Sequence, residues 1–142
     1  MTMVLEKKNI KINCPTMAKE DIIRQMGQMF VEQGYTTPLY TEAMVEKETV
    51  FNTNIGNAIA IPHGVESARK EILKTGMILQ TYPQGVDWGD GDMVKVVIAI
   101  AAVGDEHLDV LSKIAMTLSE PQEVERLLTM TEDEIYTLFA AD

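Results

Sequence analysis

Hydrophobic positions along this 142-residue chain switch period several times, and each switch marks an element. NIKINC alternates apolar and polar residues, the pattern of a partly exposed strand. From Met17 to Gln33 the spacing lengthens: Ile22, Ile23, Met26, Met29 and Phe30 fall on one helical face, with Gly34 where a C-cap belongs. A second helix is expected from Thr37 or Pro38 through LYTEAMVEKE, threonine as cap and proline in the first turn. AIAI reads as a brief strand and KTGMILQTY as a longer one, followed by PQGVDWGDGD as a turn-rich loop.

Residues 93–103, MVKVVIAIAAV, are almost continuously apolar and β-branched, as a central strand covered on both faces must be. Beyond them a helix is expected with Leu108, Leu111, Ile114, Ala115 and Leu118 in one stripe and Asp105 as its cap. Ser119 stands three residues before Gln122 and Thr131 three before Glu134, each pair fitting a capping box that opens a short helix. Strands and helices mixed in this order predict a single α/β domain over residues 1–142. Its mixed β-sheet is flanked by helices on both faces, an α/β sandwich.

Composition narrows the function. Twenty-two acidic against twelve basic residues give a net charge of −10, which repels phosphate backbones and anionic lipid and favours a protein partner with a basic face. Nucleic acid is therefore not expected as a partner. No apolar run approaches the roughly 18 residues needed to cross a bilayer. MTMVLEKKNIKI lacks the layout of a secretory signal, and one cysteine, Cys14, cannot form an internal disulfide, so a cytoplasmic protein without direct membrane insertion is expected.

Two histidines carry the candidate chemistry. In IGNAIAIPHG, Pro62 removes a backbone donor and pushes Ile61 to extended geometry, so the strand stops there. His63 is left at a strand end beside the small Gly64, with room for close approach. His107 follows residues 93–103 by four positions, in the first turn of a helix, and ligand sites in open α/β sheets gather beyond strand ends. If the two strands are parallel neighbours, both imidazoles meet in one cleft. A metal hydrolase built on His63, His107 and Asp105 or Asp109 is a rival reading, but no HxH or HExxH spacing supports it.

Together IGNAIAIPHG, LKTG, YPQGVDWGD and GDEHLDVL resemble the enzyme IIA domain of the mannitol/fructose type from the bacterial sugar phosphotransferase system, over essentially the whole chain. The segment after the central strand and the closing helices favour the mannitol branch. The resemblance implies a phosphoryl relay without metal or cofactor: acceptance from the phosphohistidine of HPr and delivery to a cysteine of enzyme IIB, part of the membrane permease. It places the phosphorylated residue at His63 and the second active-site histidine at His107. A free regulatory protein of the same type, reporting sugar flux, is the alternative. Mannitol-type members carry arginine where Lys47 stands, so charge is kept but the bidentate geometry is not.

A neutral imidazole attacks phosphorus directly if one ring nitrogen is held by a hydrogen bond, for which a backbone carbonyl would serve. His107 is expected to donate to the phosphoryl group, Lys47 to supply charge, and Asn57 and the N–H groups near Gly64 to add donors or shape a turn. An apolar rim, of Ile59, Ile61 and Leu108 or of Met and Val side chains, is expected to meet both partners.

Overall fold

The computed structural model describes residues 5–104 and 106–140. Its strands are β1 (Leu5–Lys11), β2 (Asn54–Gly56), β3 (Ile59–Ala60), β4 (Gly76–Asp87) and β5 (Met93–Ala101). They form one sheet in the order β1-β4-β5-β3-β2. β4 and β5 make a long antiparallel hairpin at its centre, β1 joins β4 in parallel, β3 joins β5 in parallel, and β2 closes the edge antiparallel to β3.

The side-chain alternation of β5 builds a core on each face. Val96, Ile98, Ile100 and Ala102 turn to one side, where they meet Val110, Ile114 and Leu118 of α3 (Glu106–Thr117) and its following turn. The same side takes Val124 and Leu127 of α4 (Pro121–Leu127) and Ile135 and Phe139 of α5 (Glu132–Ala140). Val97, Ala99 and Ala101 turn to the other side. There they pack against Ile22, Ile23, Met26 and Phe30 of α1 (Lys19–Glu32) and Tyr40, Ala43 and Met44 of α2 (Pro38–Val50). The mixed sheet with helices on both faces is the α/β sandwich expected. No described helix is long and apolar enough to cross a membrane.

Several local expectations change. PQGVD belongs to β4, with a register shift between Thr81 and Val86 that absorbs the proline, and only residues 88–92 turn, where Trp88 N–H meets the Asp92 carbonyl at 2.9 Å. Thr37 holds the N-cap position of α2, but its hydroxyl donates to Glu71 Oε1 at 2.6 Å instead of capping the helix. Ser119 does not cap α4, whose N-cap is Glu120. The Thr131–Glu134 box does form, each backbone N–H meeting the other's side chain at 2.9 and 3.2 Å. On α3 the buried residues are Val110 and Ile114, while Leu108 and Ala115 are exposed. Asp105, the expected cap of α3, lies outside the described residues. β2 and a 3₁₀ segment at Glu66–Glu71 are additions to the expected elements.

Candidate active site

β3 and β5 run side by side in the same direction, Ile59 opposite Val96 and Ala60 opposite Val97, so both chains leave the sheet at the same end. Pro62 ends the β3 ladder as its missing N–H dictates, yet its carbonyl still accepts from Ile100 N–H at 3.0 Å. His63 emerges one residue later. β5 ends at Ala101, two residues earlier than the apolar run suggested, which puts His107 six positions beyond the strand in the first turn of α3. The two rings meet with centroids 5.3 Å apart and planes inclined at 57°.

His63 Nδ1 lies 2.8 Å from the Ile61 carbonyl. A carbonyl only accepts, so Nδ1 carries the proton and the neutral ring keeps its lone pair on Nε2. The two-residue reach from His63 back to Ile61 requires the extended backbone that Pro62 enforces.

Tyr40 of α2 locks this turn from beneath. Its buried hydroxyl donates to the Ile100 carbonyl at 3.0 Å and accepts from Gly64 N–H at 2.9 Å, joining the segment after β3 to β5. The ring lies so close that a Cβ on Gly64 would fall 2.6 Å from Tyr40 Cε1, which explains glycine at this position. Burial pushes the Tyr40 hydroxyl up to about 12, so it remains a protonated donor.

A cleft of about 340 Å³ opens over the histidines, lined among others by Tyr40, Lys47, His63, Gly64, Arg69 and His107. Arg69 rises from the 3₁₀ segment, donating from Nη1 to Glu66 at 2.7 Å and from Nη2 to the Gly104 carbonyl. The segment is anchored to the start of α2 by Thr37 N–H to the Glu71 carbonyl at 2.9 Å. Lys47 Nζ stands 4.9 Å from the Phe51 ring centroid. Burial holds the His107 ring below the ordinary histidine range, a second proton on His63 and the positive charges of Arg69 and Lys47 push the same way, and Glu66 opposes them. His107 is therefore a neutral ring near pH 7, able to donate one N–H.

Of the expected site residues, His63, His107, Gly64 and Lys47 gather in the cleft. The Gly64 N–H is already engaged by Tyr40. Asn57 is elsewhere: it occupies the β2–β3 turn at φ 53°, followed by Ala58 at φ 64°, and its amide donates to the Ser119 carbonyl at 3.3 Å. Ser119 follows the far end of α3, at least ten residues and about 15 Å from His107. Ile59 and Ile61 are core residues, 2% and 7% exposed, whereas Leu108 is a rim residue at 69%. Among the described residues no three His, Cys, Asp or Glu side chains converge in a metal-binding group, and Asp105, named in the hydrolase reading, lies outside them.

Neither Tyr40 nor Arg69 stands out in the sequence as a site residue. Tyr40 looks like any apolar-face residue of a helix. Arg69 has one available signal: it is one of three arginines and follows His63 by six residues.

The family model of the phosphoenolpyruvate-dependent sugar phosphotransferase system, EIIA 2, matches residues 3–141. The chain is 46% identical over 127 residues to a mannitol-specific phosphotransferase enzyme IIA component of Halalkalibacterium halodurans, covering 89% of this chain and 87% of that protein. It is 42% identical over 137 residues to the protein of the same name from Bacillus subtilis, covering 96% of each. The solved complex of enzyme IIAMTL and phosphorylated enzyme IIBMTL from Escherichia coli contains a chain that matches with TM-score 0.89 and 34% identity, over 96% of this chain and 99% of that one.

Proposed function

The chain belongs to the EIIA 2 family of the phosphoenolpyruvate-dependent sugar phosphotransferase system, and on that premise we propose that it relays a phosphoryl group through His63. The observation that carries this reading is the pair of imidazoles 5.3 Å apart over one cleft, with His63 Nδ1 bonded to the Ile61 carbonyl.

In the first step the Nε2 lone pair of His63 attacks phosphorus on the phosphohistidine of HPr. The phosphorus–nitrogen bond of the donor breaks and its electron pair returns to the donor ring. In the second step a thiolate of enzyme IIB attacks the same phosphorus. The bond to Nε2 breaks, the pair stays on Nε2, and His63 regains its starting state. Neither step moves a proton to or from Nδ1, so the Ile61 carbonyl holds the ring throughout.

Such a transfer asks the protein mainly for alignment and for stabilisation of the equatorial oxygens. His107 donates its N–H to one of them, and Lys47 contributes positive charge. Gly64 serves by its size, leaving the Tyr40 ring space to hold the backbone. The open cleft suits a group that one protein must deposit and another remove. We assign mannitol as the sugar alcohol served, supported by the names of the relatives, with enzyme IIB as acceptor and the cytoplasm as the compartment.

Incubation with phosphoenolpyruvate, enzyme I and HPr tests this directly. One acid-labile phosphate per chain is expected, lost in His63→Ala; full labelling of that variant would end the assignment. A panel of purified enzyme IIB domains then identifies the acceptor, the mannitol-type domain being expected to discharge the protein fastest.

A further inference from the structure

Arg69 spans the two walls of the cleft. Its Nη1 bonds Glu66, three residues after His63, and its Nη2 bonds the carbonyl of Gly104, three residues before His107. These contacts use two of the five N–H donors of a guanidinium and leave the others available to an anion. With lysine at position 47, Arg69 is the one guanidinium lining the cleft among the described residues. Lys47 instead holds its ammonium 4.9 Å from the Phe51 ring centroid.

A dianionic phosphoryl group needs planar, paired donors more than a second point charge, because a guanidinium meets two oxygens at once and is more weakly hydrated than an ammonium. Resting on the relay reading above, we propose that Arg69 grips the phosphoryl group on His63, and that Glu66 holds its guanidinium in place while His63 is unphosphorylated. On phosphorylation the guanidinium exchanges the single carboxylate of Glu66 for the more highly charged phosphoryl oxygens. The bond to Gly104 keeps its plane aligned. No covalent bond changes in this exchange; the phosphoryl group stays on Nε2. Glu66 is exposed, so water takes over its released carboxylate. The positive charge of Arg69 already reaches the same spot, being among the causes that keep His107 neutral.

A purely structural staple between the 3₁₀ segment and Gly104 would bind equally in both states and leave the phosphorylation equilibrium unmoved. The test is therefore an equilibrium measurement: the ratio of phosphorylated to free protein at a fixed ratio of phospho-HPr to HPr, by phosphate-affinity gel or mass. Loss of a charge-assisted hydrogen bond predicts about a tenfold fall in that constant for Arg69→Gln. Arg69→Lys, which keeps the charge without the fork and guards against a folding failure of the first variant, should fall in between. Glu66→Gln should raise the constant, because it frees the guanidinium. Wild-type protein that takes no label would sink the relay reading itself. Wild-type labelling with an unchanged constant in Arg69→Gln, or with Arg69→Lys equal to wild type, would overturn the role of Arg69 alone.

Discussion

Tyr40→Phe removes one oxygen and keeps the ring, so it isolates what the hydroxyl does. That oxygen bonds the Ile100 carbonyl at 3.0 Å and the Gly64 N–H at 2.9 Å, and Tyr40 is only 3% exposed. Each net hydrogen bond is worth roughly 1 kcal/mol, and a buried partner left unsatisfied raises the loss. Gly64 is partly exposed and water can serve its N–H, so the sum is about 2 kcal/mol. At roughly 2–4 °C per kcal/mol for a chain near this size, the melting temperature should fall by about 4–8 °C. Function should fall further. The lost bonds free the backbone beside His63, and a nucleophile displaced by a fraction of an ångström loses about tenfold in transfer rate.

Thermal unfolding and a timed transfer from phospho-HPr measure the two effects on the same sample. In the Gly64 amide resonance the change should appear as loss of protection from hydrogen exchange. Because the Tyr40 hydroxyl is pushed up to about 12, wild-type transfer should show no step from its titration near pH 10, where an ordinary tyrosine ionises. A Tyr40→Phe protein with unchanged stability, unchanged amide protection and unchanged transfer would refute the idea that this tyrosine fixes the His63 turn.

Other expectations follow from the same geometry. His107→Ala should still accept phosphate but pass it to enzyme IIB about a hundredfold more slowly, as loss of one transition-state donor does; wild-type onward transfer would remove His107 from the mechanism. Gly64→Ala forces a methyl against the Tyr40 ring and should cost about 1–3 kcal/mol with loss of labelling, whereas Gly27→Ala, which meets Thr41 at 2.6 Å and does not line the cleft, should lose stability but not labelling. His107 resists protonation in the folded protein, so the unfolded chain takes up the proton first as pH falls through about 6.5. Stability should therefore drop from pH 7.5 to 5.5, and less so in His107→Gln; equal pH profiles from chemical denaturation would contradict the burial argument.

The sequence shows the frame of this site more readily than its supports. β5 declares itself by continuous apolar residues, and Pro62 by the hydrogen bond it cannot make, so the approach of the two histidines is legible once β3 and β5 are taken as parallel neighbours. Thr131 and Glu134 are equally plain, because a capping box is local chemistry. Tyr40 is hidden because its function lies in one oxygen facing partners 24 and 60 residues away. Arg69 is hidden because a 3₁₀ segment has no apolar periodicity to announce it. Pro83 and Gly85 signal a loop by residue type, yet pairing of β4 with β5 on either side of the register shift draws them into the strand. Leu108 matches the helical spacing but falls on the outer side of α3, where the cleft needs a rim and the core needs nothing.

With Nδ1 of His63 bonded to the Ile61 carbonyl, the proposed relay runs through one atom, Nε2. Nitrogen-15 and phosphorus-31 NMR of the phosphorylated protein, with labelled histidine, reads that atom. Phosphorus coupled to Nε2 of His63, with Nδ1 still protonated, is the result this account predicts. A phosphoryl group on Nδ1 of His63, or on His107, would contradict it.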